Sequence, residues 1–257
     1  MFFPDMAHTT SALCSSRVMR LSLFVSLSVL GFVSPGLSQN ASAGAKVSEA
    51  VRTLLLEARE MRIQHHYSEA LDKLAQAEKL APNLADIYAL RGDIYLAPRR
   101  RDFSLALPQF QKAAALQPQS PLPRFNLAEY YFVKHEFDTA LDALTKLDAA
   151  FPKLPEMIRH LVRYKQMLCQ LKLGHRDEAE QIAAKNFKAD DNTPAYYFAN
   201  AGLAFAAGDA AKANDWVKRG MSIFKGAACA PFYDSFKELR WVPDVDFGGT
   251  VELPPKR

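Results

Sequence analysis

The chain has 257 residues, 49% of them hydrophobic and 23% charged, the balance of a folded globular protein and not of a disordered one. A net charge of +4, spread along the chain, is too weak and too diffuse for the clustered basic face that nucleic-acid binding needs. Glycines number only eleven, Ala and Leu are plentiful, and strand-like runs rich in Val, Ile and Thr are missing after residue 45, so an all-α chain is expected.

Arg17 and Arg20 precede the uncharged run Leu21 to Val33, and Pro35 and Gly36 break it. A basic flank, a short apolar block and small residues beyond it form a secretory signal. The thirteen residues of the run are too few for a bilayer core, which takes roughly 20 in helix. Residues 1–43 are therefore expected to be a signal peptide and leader, with cleavage after Ser38 or after Ala43. Translation from Met6 or Met19 is an alternative start, and the stretch from Met19 is a compact signal on its own. The expectation is an exported protein, periplasmic or secreted, with no stable membrane span after cleavage. Cys14 lies before the apolar run, on the wrong side for lipid modification. Cys169 and Cys229 remain after cleavage, too few for a disulfide scaffold. Cys169 sits in an apolar helical stretch and reads as a small buried hydrophobe; whether the two pair is open.

The rest of the chain repeats itself. Tyr67-Ser-Glu-Ala70-Leu71, Phe103-Ser-Leu-Ala106-Leu107 and Phe137-Asp-Thr-Ala140-Leu141 are three copies of one pattern, and Arg176-Asp-Glu-Ala179 and Ala210-Ala-Lys-Ala213 are weaker ones. The alanines recur at a nearly constant interval, slightly longer from Ala70 to Ala106 and longest from Ala140 to Ala179. Around them the same spacing returns: Ala58, Leu74, Ala77 and Pro82 about Ala70, and Ala128, Leu144, Leu147 and Pro152 about Ala140. Small residues at Gly92, Ala128 and Ala201 let a facing helix approach closely, and apolar residues three and four apart give each helix a stripe to bury. Turn chemistry separates the units at Pro82-Asn83, Pro118 to Pro123, Pro152 to Pro155 and Asp190 to Pro194. In the last of these, Asn192 or Thr193 suits a helix N-cap.

This pattern resembles the tetratricopeptide repeat, whose period is about 34 residues. The segment from Ala81 to Tyr95 is similar to that family's join between repeats, and the resemblance runs from about residue 51 to 227. The expected fold is an all-α, right-handed superhelical solenoid of about five helical hairpins, with units near 51–84, 85–120, 121–154, 155–193 and 194–227. Two residues extra in the second unit fall in a turn at Pro98 to Arg101. Five extra in the fourth lengthen its first helix, from about Pro155 to Leu173. Residues 228–242 are expected to hold a capping helix, drawn at Pro231 to Val242 with Phe232, Phe236 and Leu239 on its apolar face, and 243–257 an irregular tail.

No chemistry-bearing motif emerges. There is no glycine-rich phosphate loop after a strand, and no HExxH, CxxC or GxSxG. His65-His66, His135 and His175 fall in equivalent hairpin turns, spaced too widely for one metal, and read as solvated. His160 stands alone, Asp190-Asp191 reads as a helix start, and Arg99-Arg100-Arg101 as an exposed turn. No catalysis, cofactor or metal is expected.

In the resembling family the first helix of each hairpin lines a concave groove. Carried over by spacing, this implies Arg52, Leu55, Arg59 and Arg62 in the first unit, and Asp86, Ala89, Asp93 and Leu96 in the second. The third unit offers Phe125, Glu129 and Phe132, the fourth Tyr164 and Leu168, the fifth Phe198, Gly202 and Phe205. Such a groove is charged at its N-terminal end and aromatic in its C-terminal half, and aromatic anchors in a concavity suit protein or peptide recognition. Tyr164, Phe198 and Phe205 alternatively pack between hairpins or beneath the cap. The family's clamp for a C-terminal carboxylate is matched only at Asn126 and Lys165. The function expected is a scaffold for a protein or peptide partner, with no nucleic acid. The alternatives are an accessory subunit of an envelope assembly or secretion machine, bound through its convex face or cap, and a hydrolase or glycan-binding protein with an unrecognised site.

Overall fold

The structure, a computed structural model, describes residues 47–243. The leader at 1–43 and the tail beyond Pro243 lie outside the described residues. Within them the chain is a succession of helices: α1 (Glu49–Ile63), α2 (Tyr67–Leu80), α3 (Ala85–Leu96), α4 (Phe103–Leu116), α5 (Pro121–Val133), α6 (Phe137–Ala150), α7 (Glu156–Lys172), α8 (Arg176–Asn186), α9 (Ala195–Ala206), α10 (Ala210–Ile223) and α11 (Gly226–Glu238). The described residues hold no strand.

Consecutive helices pair as five hairpins, and each hairpin packs on the next to form an all-α solenoid. The repeat alanines Ala70, Ala106, Ala140, Ala179 and Ala213 are all fully buried where the two helices of a hairpin cross. Gly92 takes this logic furthest: a Cβ there would lie 2.6 Å from the ring of Phe110. Helix starts follow ordinary chemistry, with Ser48 accepting from the Val51 N–H and Pro121 in the first turn of α5. At the first join, the Tyr88 hydroxyl lies 2.7 Å from Glu78 Oε1 and 2.6 Å from the Pro82 carbonyl, two acceptors that share its one proton. Arg91 reaches the same Glu78 at 2.6 Å.

One backbone feature recurs with the alanines. His65, His135, Gly174 and Gly208, each two residues past the first helix of a hairpin, and Arg101, at the end of the longer turn after α3, have φ of 62, 64, 84, 79 and 52°. Every one of them stands five positions ahead of the repeat alanine of its unit. A left-handed residue turns the chain back towards the second helix, which glycine does without strain and the other three do at a cost.

The fourth unit departs from the others. Helix α7 has 17 residues, more than any other described helix, and α8 only 11. The apolar interior is also uneven. One cluster joins the first two hairpins around Leu55, Leu74, Tyr88 and Ile94, whereas the largest joins hairpins three to five with α11 and is rich in aromatic rings. Helix α11 starts at Gly226, five residues ahead of Pro231, and ends at Glu238, where Arg240 turns left-handed with φ 58°. It packs on α7 and α9 as well as on α10, so it lies on the first helices of two units and is more than an end cap.

Candidate functional site

The face expected from the sequence to line a groove is supplied by the first helices, α1, α3, α5, α7 and α9, and its two halves differ. In the C-terminal half Phe132, Tyr164 and Phe198 are fully buried, Phe125 is nearly so, and Phe205 is half-buried. Helix α11 covers the part of this face that α7 and α9 supply. The Phe232 ring centre lies 5.0 Å from Tyr164 and 5.7 Å from Phe198. Phe236 sits 5.0 Å from Phe205, and Trp241 stacks on Phe205 at 5.7 Å. The Tyr164 hydroxyl donates to the Phe232 carbonyl at 3.0 Å. The aromatic residues read from the sequence as anchors for a partner are thus engaged by the chain itself.

Polar groups fix α11 at its far end. Lys165, 1% exposed at its side chain, donates to Ser235 Oγ at 3.1 Å and pairs with Glu129 at 2.7 Å. Its ammonium also stands 4.2 Å over the Phe132 ring. Arg101 binds the Glu238 carboxylate at 2.7 Å, and His135 Nε2 donates to the Glu238 carbonyl at 2.8 Å. Two residues read as solvated turn positions therefore hold α11. Burial raises the carboxyls of both Asp234 and Glu238, with Lys237 and Arg101 respectively pulling them back.

The N-terminal half carries charge. Arg52 is exposed, Arg59, Asp86, Asp93 and Glu129 are half-buried, and Arg62 is buried. Asp93 is closely surrounded, and desolvation lifts its carboxyl to about 7, opposed by Arg62 and Arg59 and assisted by Glu129. Arg59, Asp93 and Glu129 hold equivalent places on α1, α3 and α5, so a row of alternating charge runs to the Lys165 pair beneath α11. The equivalent places on α7 and α9 are Leu168 and Gly202, which is why the row stops there.

A second polar cluster lies on the fourth unit. His160, read as solitary in the sequence, is 5% exposed and has its Nδ1 2.7 Å from Thr193 Oγ1 and 4.0 Å from Asp191 Oδ2. Glu156, one turn before it on α7, completes a group whose ligand-type atoms all lie within 4.8 Å of one another. The Phe187 ring meets the imidazole edge-on at 5.5 Å. Burial lowers the His160 pKa, against the pull of Asp191 and Glu156. Asp191 also accepts from the Lys188 N–H at 2.7 Å, which organises the turn before α9. Only three-dimensional folding unites residues so far apart in the chain, and no spacing rule announces it. Cys169 and Cys229 are both free and buried, and desolvation pushes their thiols up to about 12 and about 11, away from reactivity.

No family model matches the chain, and no curated protein matches its sequence. Solved structures do. A thermophilic TPR protein from Thermus thermophilus superposes with a TM-score of 0.55 at 18% identity, over 74% of this chain and 99% of that one. PilW, a widely conserved type IV pilus biogenesis factor, gives 0.55 at 18% identity over 75% of this chain and 87% of its own. The Pseudomonas aeruginosa protein pilF gives 0.53 at 16% identity over 74% and 92%. Identities this low speak to the fold alone, and with the five stacked hairpins they give it: the described part of this chain has the fold of the tetratricopeptide-repeat proteins.

Proposed function

We propose that this chain is an exported, non-catalytic scaffold that holds a partner protein on the charged N-terminal half of its inner face. The observation that carries the reading is the asymmetry of that face. Helix α11 fills the aromatic half through Phe232, Phe236 and Glu238, while Arg52, Arg59, Asp86, Asp93 and Glu129 keep contact with solvent. A surface with both signs of charge in a fixed row favours a partner of complementary pattern, through on-rate and register more than through buried apolar area. Solenoids present this kind of extended inner surface for binding.

Export is supported by the basic flank and apolar run before residue 34, and among the described residues no helix is long and apolar enough to cross a membrane. Sequencing the N-terminus of the protein isolated from its own cells tests this part: it should start at Gln39 or Gly44. For the binding face, the partner is first recovered by crosslinking in the native compartment and then assayed with the charge reversals Arg59→Glu and Asp86→Lys. Each should lower its recovery at least tenfold with the fold intact. Recovery unchanged in both, and lost on deleting residues 226–257, would transfer the binding role to α11 and the cap.

A further inference from the structure

The extra residues of the fourth unit do something beyond lengthening a helix. Measured back from the repeat alanine of its unit, Glu156 begins α7 four positions earlier than Pro121 begins α5. Helix α8 stops sooner after its alanine than α6 does, and the connection that follows α8, 187–194, is longer than those at 81–84, 117–120 and 151–155. The added turn of α7 places Glu156 and His160 one above the other on one helix face. The lengthened connection brings Asp191 to the same point from the other side. The other units stack without such residues at the corresponding places: Val51 and Pro121 stand where His160 does.

We propose that Glu156, His160 and Asp191 form a binding site for one divalent transition-metal ion of the zinc class. An imidazole nitrogen and two carboxylate oxygens make a donor set that suits Zn²⁺, Mn²⁺ or Fe²⁺ and not a soft ion such as Cu(I). Three protein ligands leave a coordination position for water. The atoms stand 4.0 Å apart between His160 and Asp191, and within 4.8 Å across the group. Bonds of about 2.0–2.2 Å bring ligands to roughly 3–3.5 Å from one another. Closing the gap takes a rotamer change at Glu156, which is exposed, and a shift of about half an ångström at Asp191, whose turn is partly open. The buried imidazole forms the floor and the exposed carboxylate the entrance. The Lys188 N–H on Asp191 at 2.7 Å and the Phe187 ring against the imidazole give support of the kind that orients ligands, while Thr193 Oγ1, 2.7 Å from the same Nδ1 that faces Asp191, gives up that hydrogen bond to the ion. The competing explanation is that His160 and Thr193 merely pin the connection 187–194 onto α7.

The full chain, stripped of metal with a chelator, is titrated with ZnCl₂ by calorimetry and melted with and without the ion. One equivalent should bind with a dissociation constant of micromolar or below and raise Tm by several degrees at saturation. Glu156→Gln and Asp191→Asn, both on accessible groups, should each weaken binding at least tenfold while keeping the circular dichroism of the parent. Asp190→Asn, next door and outside the group, should bind as the parent does. Should His160→Gln fail to fold, the two carboxamide variants decide alone. Absence of binding, or binding that Glu156→Gln and Asp191→Asn leave unchanged because zinc sits on His65-His66 or His175, overturns the proposal and leaves His160 as a structural pin.

Discussion

The Arg101 guanidinium meets the Glu238 carboxylate at 2.7 Å across 137 positions of sequence, joining the turn of the second hairpin to the last turn of α11. Both side chains keep some solvent contact, 31% for Arg101 and 18% for Glu238, so the pair is screened only in part. It marks the boundary between the filled and the open halves of the inner face. Removing it by Arg101→Ala, which leaves the half-buried Glu238 carboxylate without that partner, should cost about 1–2 kcal/mol in denaturant unfolding. Amide exchange should quicken in the last turns of α11 before it quickens elsewhere. A double-mutant cycle with Glu238→Gln should show coupling of about 1 kcal/mol.

Phe236 is the centre of the aromatic seal, fully buried and in ring contact with Tyr164, Phe198, Phe205 and Trp241. Phe236→Ala should destabilise the chain by about 3–5 kcal/mol. The loss should concentrate in hairpins three to five, because the first two hairpins have their own core around Tyr88 and Leu74. Urea unfolding followed by amide exchange separates the two regions.

Gly92→Ala should lower stability by about 1–3 kcal/mol, since the new methyl meets the buried Phe110 ring at 2.6 Å. The double variant with Phe110→Leu should recover part of the loss, and thermal melts of the three proteins check it.

The left-handed positions offer a test of backbone cost without packing. A Cβ on Gly174 or Gly208 would meet nothing within 4 Å, yet both have positive φ. Either one changed to Ala should lose about 1 kcal/mol. At His65, with φ of 62°, the reverse change to Gly relieves the backbone but forfeits the exposed contact of Nδ1 with the Tyr67 hydroxyl at 2.9 Å, so the two should nearly cancel. His135 should not behave this way, because its imidazole holds the Glu238 carbonyl.

Asp93 supplies the pH dependence. Its carboxyl is raised to about 7 in the folded chain from an ordinary 3.8, so folding favours the protonated form. The stabilisation this gives is complete below about 4 and is lost as pH rises through 7. Stability should therefore fall by about 1–2 kcal/mol between pH 5 and pH 8, a figure reduced for the residue's remaining solvent contact. Asp93→Asn should remove much of that slope. Asp234 and Glu238 are raised by burial too and add a slope of the same sign at lower pH.

The hairpins were legible because packing imposes a period on the chain. Ala70, Ala106 and Ala140 are small where two helices touch, and a change there is punished in every unit alike. The site was legible only in part. Spacing put Arg59, Asp93 and Glu129 on one row, and they share it. It also put Tyr164 and Phe198 on the groove side, and the structure packs both against α11; amphipathic spacing in α11 says only that Phe232 and Phe236 need covering, not which surface covers them. The start of that helix was hidden by Gly226-Ala-Ala-Cys-Ala, which carries neither charge nor periodic contrast. His135 and Arg101 looked solvated because their partner lies in a helix a hundred or more residues away.

The most direct test of the account is photocrosslinking in the native compartment, with a photoreactive residue placed at Arg52 or Asp86 on the inner face, or at Leu80 or Ile223, which are exposed large hydrophobic positions on second helices. A scaffold working through the charged half of its groove captures the same protein from positions 52 and 86 and not from 80 or 223, and loses it with Arg59→Glu. Capture from 80 or 223 with none from 52 or 86 would contradict it.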